Sequence, residues 1–315
     1  MKVLIFGAGV LGSYLAHSLV RGGNEVTVLA RGKRYEQLKK DGIVIRHYFQ
    51  RKNTVDSVNI IDKLVPHDYY DLIFVVMKYN QFSSVLPVIA QNVSKNIVLV
   101  GNNADSASME RFLNENSNVK KNIAFGFQLS GGKREESGRI ISIHGGGQMV
   151  IGSLEGDITF KATLVKAFKE AKYKLIYNDH IDGWLKSHII PIVAMNSIHY
   201  LYNFDFKKIA NDKNALLQMI SVMDEGFMVL EKLGYKIDPA FQGKLVRKYR
   251  YIAYHGLKIF HKLPINNFIE GTFSEIEAIY RTFDELQNEA NISTPIWNEL
   301  KKRSLDKYRD EVFNK

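Results

Sequence analysis

Gly7-Ala8-Gly9-Val10-Leu11-Gly12 follows the apolar run Val3-Leu4-Ile5-Phe6 without a gap. Three glycines at this spacing, behind a strand and ahead of a helix, have separate tasks. The first permits a tight turn, the second lets the backbone approach a pyrophosphate, and the third lets helix and strand pack closely. The free N–H groups at the start of the helix then face negative phosphates, and the helix dipole favours that charge. Gly7, Ala8, Gly9, Val10, Leu11 and Gly12 are therefore expected to bind a dinucleotide. A second strand over 25–30 ends in Ala30-Arg31-Gly32-Lys33-Arg34. About 20 residues past the glycines an NAD site carries an acid that binds the ribose 2′-hydroxyl. Here that place holds Arg31. An acid repels a 2′-phosphate, whereas a guanidinium pairs with it through two parallel bonds, so the sequence predicts NADP(H) over NAD(H). The bland alternative for Arg31, Lys33 and Arg34 is a solvated charge cluster.

The elements that must position these residues follow from the pattern. Helix 10–22 and strands 2–7 and 25–30 open the chain, and the continuous apolar runs 71–77 and 96–100 read as strands buried on both faces. A short helix over 35–41 and a small β excursion over 43–49 and 57–61 lie between them. Runs 123–129, 139–144 and 148–151 read as strands that could extend the sheet in antiparallel fashion, with Gly131-Gly132 and Gly145-Gly146-Gly147 as hairpin turns. A helix over 159–172 and a strand over 173–177 complete this half. The fold class is α/β: a Rossmann-type doubly wound parallel sheet followed by an all-α C-terminal domain. The domains are 1–177, NADP-binding, and 178–315, helical and catalytic. In the second, Asn178 or Asp179 is expected to cap a long helix that Pro191 kinks, followed by helices over 213–233, 240–258, 273–290 and 295–312.

Composition narrows the chemistry. The 315 residues carry a net charge of +10 and include no cysteine, which excludes disulfides, a thiolate nucleophile and cysteine-held metals. His188 and His199 are too far apart for joint ligation and no clustered carboxylates are evident, so no metal is expected. The start has no basic region followed by an apolar one, and no run approaches the ~18 apolar residues of a membrane span; a cytoplasmic protein is expected. Between Pro239 and Ile269, Lys244, Arg247, Lys248, Arg250, Lys258 and Lys262 occur without an acid, interleaved with Tyr249, Tyr251 and Tyr254. No nucleic-acid motif accompanies them, and a solvated helix face is the expected reading. A basic field also draws in an anionic cofactor and substrate. A homodimer is compatible with a helical second domain.

Taken in order, the motifs resemble those of the ketopantoate reductase family. The glycine segment and Leu29-Ala30-Arg31 are similar to its opening. Lys78 and Gln81 resemble its strand-end lysine and following glutamine, both near the cofactor, and Asn102 takes the place of the asparagine near nicotinamide and substrate. Gly138-Arg139-Ile140 through Gly147 resembles its glycine-rich β segment. Trp184-Leu185-Lys186 resembles the segment with the catalytic lysine, and Ser274-Glu275-Ile276-Glu277 the late acidic segment, approached through Asn266, Asn267 and Gly271. The resemblance implies an NADPH-dependent reductase of a small anionic 2-oxo acid, with Lys186 as general acid, Glu275 orienting the substrate hydroxyl or pairing with Lys186, and Asn102 orienting carboxamide or substrate. The chain departs from the family at Ile190 and Ala194, where asparagines are usual, at Leu263 in place of a serine and at Asn103 in place of a glycine. These departures remove hydrogen-bonding groups expected at the substrate. They leave two alternatives: a paralogous dehydrogenase of another keto or hydroxy acid, and a non-catalytic NADP(H)-sensing protein.

Overall fold

Strand β1 (Lys2–Phe6) is buried from Val3 onward and forms the centre of the larger sheet. On one side it pairs in parallel with β2 (Glu25–Leu29), which pairs with β5 (Asn59–Ile61). On the other it pairs with β6 (Leu72–Val76), followed by β7 (Asn96–Val100) and β8 (Asn122–Gln128), all parallel. Leu72 to Val76 and Ile97 to Val100 are buried at every position, as strands covered on both faces must be. The antiparallel step comes at β11 (Gly147–Gly152), which pairs with β8, and β12 (Tyr173–Tyr177) closes the sheet parallel to β11. Helix α1 (Val10–Arg21) places Leu15, Ala16 and Leu19 in a core with Val3 and Ile5 of β1, Phe74 of β6 and Leu164, Ala167 and Phe168 of α5 (Lys161–Phe168).

The computed structural model describes residues 1–264, 266 and 272–313; Asn267 and Gly271 lie outside the described residues. The chain divides into two compact units, the first running over Met1–Ile181 and the second starting at Asp182. Several sequence expectations change in the first unit. β8 is parallel to β7, not antiparallel. Gly131-Gly132 is no hairpin turn: it opens β9 (Gly131–Arg134), which pairs antiparallel with β10 (Ile140–Ile143). Gly132 has φ +150°, and a Cβ there would lie 2.0 Å from the Ile141 carbonyl oxygen, so glycine marks a close backbone approach within the strand. Gly145-Gly146-Gly147 joins β10 to β11, which belong to different sheets, and so is no hairpin either. The small sheet runs β4 (Lys52–Asp56), β3 (Ile43–His47), β10, β9.

Imidazoles fasten α1 to this small sheet. The Gly146 N–H lies 3.3 Å from His144 Nδ1, which must therefore accept. Tyr14 donates to the same atom at 3.0 Å. His144 Nε2–H then donates to His47 Nδ1 at 2.9 Å, and His47 Nε2–H to Thr54 Oγ1 at 2.8 Å. Beside this series His17 meets Asp56 at 2.5 Å, and Arg21 holds the other Asp56 oxygen at 2.8 Å. Burial pushes His47 down to about 4 and lowers His17 and His144 as well.

The second unit is helical. Helix α6 (Ile181–Leu201) runs on through Pro191, and ahead of it the Asn178 side chain accepts from the His180 N–H at 2.8 Å. It is followed by α7 (Phe206–Asn211) and α8 (Lys213–Lys232). The single helix expected over 240–258 is two, α9 (Phe241–Arg247) and α10 (Arg250–Lys262), and α11 (Phe273–Ala290) and α12 (Pro295–Phe313) complete the unit. Its core holds Phe227, Tyr280, Phe283 and Trp297, and the buried Tyr280 hydroxyl lies 2.7 Å from Ser197 Oγ on α6.

Candidate active site

In the first unit the strand order reverses at β1, with β2 on one side and β6 on the other. In doubly wound sheets ligands bind outside the carboxyl ends of the strands at such a switch point. The residues at those ends are Gly7 after β1, Arg31 after β2, Lys78 after β6 and Asn102 after β7. Each glycine of the opening motif has a distinct reason. Gly7 adopts φ +121°, and a Cβ there would lie 2.3 Å from the Val76 carbonyl oxygen. A Cβ on Gly12 would lie 1.9 Å from the Gly7 oxygen, so glycine lets α1 close onto the turn. Gly9 differs: nothing lies within 4 Å of its Cβ position. It is the N-cap of α1, without a side-chain cap bond and without an acid in the first turn. Open space in front of uncapped helix N–H groups is a cradle that fits a phosphate bridge. Gly7 to Gly12 are the residues that could hold it, with Ala8 buried, Val10 and Leu11 half-buried and Gly9 exposed.

The basic cluster after β2 separates into two kinds of residue. Arg31 and Lys33 are exposed, as a phosphate ligand must be. Arg34, on α2 (Lys33–Asp41), is 7% exposed and is neither a solvated charge nor a ligand. Its Nε donates to the Ala8 carbonyl at 3.1 Å, Nη2 to Ser13 Oγ at 3.0 Å and Nη1 to the Gly138 carbonyl at 2.7 Å. Burial, with Arg134 nearby, pushes it down to about 10. Arg34 thus clamps the glycine turn to the small sheet. Its sequence neighbourhood is indistinguishable from that of Arg31, and the signal that separates them is contact at long range.

Lys78 and Gln81 are exposed, and Gln81 Oε1 accepts from the Lys78 N–H at 3.3 Å. A Cβ on Gly101 would lie 2.5 Å from the Met77 carbonyl oxygen, which draws the end of β7 against the end of β6. Asn102 is half-buried beside it. Asn103 is fully buried and bonds its Nδ2 to the Leu99 carbonyl at 3.0 Å, so the residue standing where the family resemblance expects glycine fixes the turn from within.

In the second unit Lys186 is 5% exposed. Its Nζ contacts the Asp182 carboxylate, one turn earlier on α6, and lies 5.0 Å from the centroid of the Tyr235 ring. The segment bearing Tyr235 lies against Gly183 and is pinned by a bond from the Asp238 N–H to Ser187 Oγ at 3.2 Å. Glu275, the acid expected beside Lys186, stands in the first turn of α11 and is half-buried; the carboxylate in contact with Lys186 is that of Asp182. The i, i+4 spacing of Asp182 and Lys186 is the sequence signal that finds this pair. Ile190 and Ala194 are fully buried. A Cβ on Gly226 would lie 2.7 Å from Ile190 Cγ2 and 3.0 Å from Trp297, so Ile190 packs into the helical core. Leu263 is 45% exposed. Among the described residues no group of three His, Cys, Asp or Glu could hold a metal ion, and no helix is long and apolar enough to cross a membrane.

Comparison with known proteins adds to this geometry. The family model for ketopantoate reductase PanE/ApbA matches residues 3–156. A 2-dehydropantoate 2-reductase of Aquifex aeolicus is 27% identical over 305 residues, covering 94% of this chain and 93% of its own. Among solved structures, D-mandelate dehydrogenase with NADH and anilino(oxo)acetate is similar at a TM-score of 0.79 and 18% identity, over 98% of this chain and 99% of that one. The 2-dehydropantoate 2-reductase of Methylococcus capsulatus is similar at 0.74 and 19% identity, over 100% of this chain and 98% of that one. At these identities the two structural likenesses are likenesses of fold.

Proposed function

Since this chain belongs to the ketopantoate reductase family of oxidoreductases, we propose that it reduces a 2-oxo acid with NADPH and that Lys186 delivers the proton. The observation that carries the reading is the buried ammonium of Lys186 held on a carboxylate in the helical unit. A bound reduced nicotinamide supplies the hydride. Hydride addition leaves negative charge on the carbonyl oxygen, and a buried ammonium both stabilises that charge and gives up a proton to it. The amino-terminal unit binds: Gly7 to Gly12 receive the pyrophosphate, Arg31 pairs with the 2′-phosphate, Lys78 and Gln81 flank the cofactor, and Asn102 orients its carboxamide or the substrate. Glu275 orients the hydroxyl of the substrate. Among substrates the family resemblance puts ketopantoate first, and a cytoplasmic setting suits a chain without cysteine.

A second reading is favoured by Ile190 and Ala194. Both are fully buried and Ile190 packs into the helical core, so the helix bearing Lys186 offers a substrate neither of the amides usual in the family, which supports a 2-oxo acid other than ketopantoate. One assay decides between them. NADPH oxidation is followed with ketopantoate, phenylglyoxylate and other 2-oxo acids, beside Lys186→Ala. We expect turnover with at least one of them and a loss of about 100-fold or more in kcat for Lys186→Ala, with NADPH affinity unchanged. NADPH binding without turnover of any carbonyl compound would replace the reductase by a non-catalytic NADP(H)-sensing protein. For the cofactor, Arg31→Ala should raise the Kd for NADPH about 10-fold or more and leave that for NADH nearly unchanged, because only the 2′-phosphate loses a charged bond.

A further inference from the structure

Lys186 meets its surroundings through two groups that the family resemblance does not supply. The ammonium lies between the Asp182 carboxylate and the face of Tyr235. The two charged partners differ in access: the side chain of Lys186 is 6% exposed and that of Asp182 27%. Solvent therefore reaches the carboxylate of the pair far more readily than the amine. The titratable groups on the two segments that meet here are Asp182, Lys186 and His188, with His199 and Tyr200 further along, on α6, and Tyr235, Lys236 and Asp238 after α8. A donor in this position has a difficulty the reaction itself creates: after each turnover its amine is neutral, nearly buried and in need of a proton.

We propose that Asp182 is the positioning residue of Lys186 and the route by which its Nζ regains a proton from solvent. The inference rests on the reductase reading above. During reduction an N–H bond of the ammonium breaks and an O–H bond forms at the substrate oxygen, which carries the electron pair left by hydride addition; the N–H electrons remain on Nζ as a lone pair. A proton from water then binds an Asp182 oxygen and passes to that lone pair, restoring ammonium and carboxylate. One solvent proton is taken up for each hydride transferred, so charge and atoms balance. Tyr235 contributes its ring face, which attracts a cation but not a neutral amine, and the Asp238–Ser187 bond keeps the ring in place.

The test uses the full chain and three forms: wild type, Asp182→Asn and Asp182→Glu. Asp182→Asn should lower kcat about 10- to 100-fold, with a much smaller change in KM and unchanged NADPH affinity, and should move the alkaline limb of the kcat–pH profile to lower pH. Asp182→Glu should recover part of the rate and the profile. A second readout needs no turnover. Lysines are acetylated competitively with acetic anhydride and mapped by mass spectrometry, and Lys186 should label several-fold faster in Asp182→Asn than in wild type, because only the neutral amine reacts. Wild-type kcat and profile in Asp182→Asn, or equal labelling of Lys186 in both, overturns the proposal. A loss that Asp182→Glu fails to recover overturns it too, since it marks a merely structural effect. A wild-type chain that turns over no 2-oxo acid defeats the reductase reading instead, and is told apart by the labelling arm.

Discussion

Acid should weaken the helical unit through His188 and His199. His199 is 6% exposed and lies 2.9 Å, Nε2 to Nε2, from His261, whose Nδ1–H donates to the Leu257 carbonyl at 2.7 Å. The neutral His261 Nε2 accepts and His199 Nε2–H donates; a proton added to His261 sets two N–H groups against each other, and one added to His199 goes to its Nδ1, where burial opposes the charge. Burial pushes His199 down to about 3 and His188, stacked on Trp184 at 4.8 Å, down to about 4. Both are depressed below the ordinary 6.5 of the unfolded chain. The protonated form therefore favours unfolding: stability is full above pH ~6.5, falls as pH drops below it, and stops falling once the folded values are passed. At pH 5 each group has cost about 2 kcal/mol, so the two together cost about 4, with the His199–His261 pair counted once. Trp184 and Trp297 both lie in the unit that starts at Asp182, so tryptophan fluorescence reports on it selectively. With an m-value of about 2 kcal/mol/M, the urea midpoint should fall by about 2 M between pH 8 and pH 5. His188→Phe keeps an aromatic ring on Trp184 and removes one titration, so its shift should shrink to about 1 M. An unchanged or higher midpoint at pH 5, or a His188→Phe shift equal to that of wild type, would refute the reasoning.

Three further outcomes are expected. Arg34→Ala removes three buried bonds around the glycine turn and should cost about 3 kcal/mol, seen as a lower thermal midpoint by circular dichroism together with weaker NADPH binding; an unchanged midpoint would show that the clamp carries no stability. Gly12→Ala puts a methyl group 1.9 Å from the Gly7 oxygen and should abolish NADPH binding in a fluorescence titration, while an intact Kd would mean that the turn gives way freely. Ile190→Asn, which installs the residue usual in the family, should destabilise the helical unit by about 3 kcal/mol or more by burying an amide against Gly226 and Trp297; wild-type urea resistance would show that the position faces space the structure does not reveal.

Where the sequence was readable, the reason is local. Within a strand–turn–helix of twelve residues, Gly12 is demanded by its approach to the Gly7 oxygen and Gly7 by the positive φ of the turn, and the apolar runs of β6 and β7 follow from burial on both faces. Where it misled, the cause is partners distant along the chain. Gly131-Gly132 looks like a turn because glycine breaks strands, yet the space it saves is claimed by Ile141 on the neighbouring strand. Arg31 and Arg34 stand three residues apart with the same chemistry, and only the carbonyls of Ala8 and Gly138 separate them. The Asp182 carboxylate that meets Lys186 stands one helical turn away, a spacing as plain in the sequence as the family resemblance of Glu275. Ile190 and Ala194 read as missing substrate groups in one dimension and as core packing in three.

The series Tyr14–His144–His47–Thr54 gives the first unit a rear anchor with a single sense of direction. Every hydrogen in it points the same way, because one main-chain donor at Gly146 dictates the orientation of the first ring and each ring dictates the next. No member can reverse or gain a hydrogen alone. Charging either ring would break this run of bonds, and with it the hold that Tyr14 gives α1 on the small sheet.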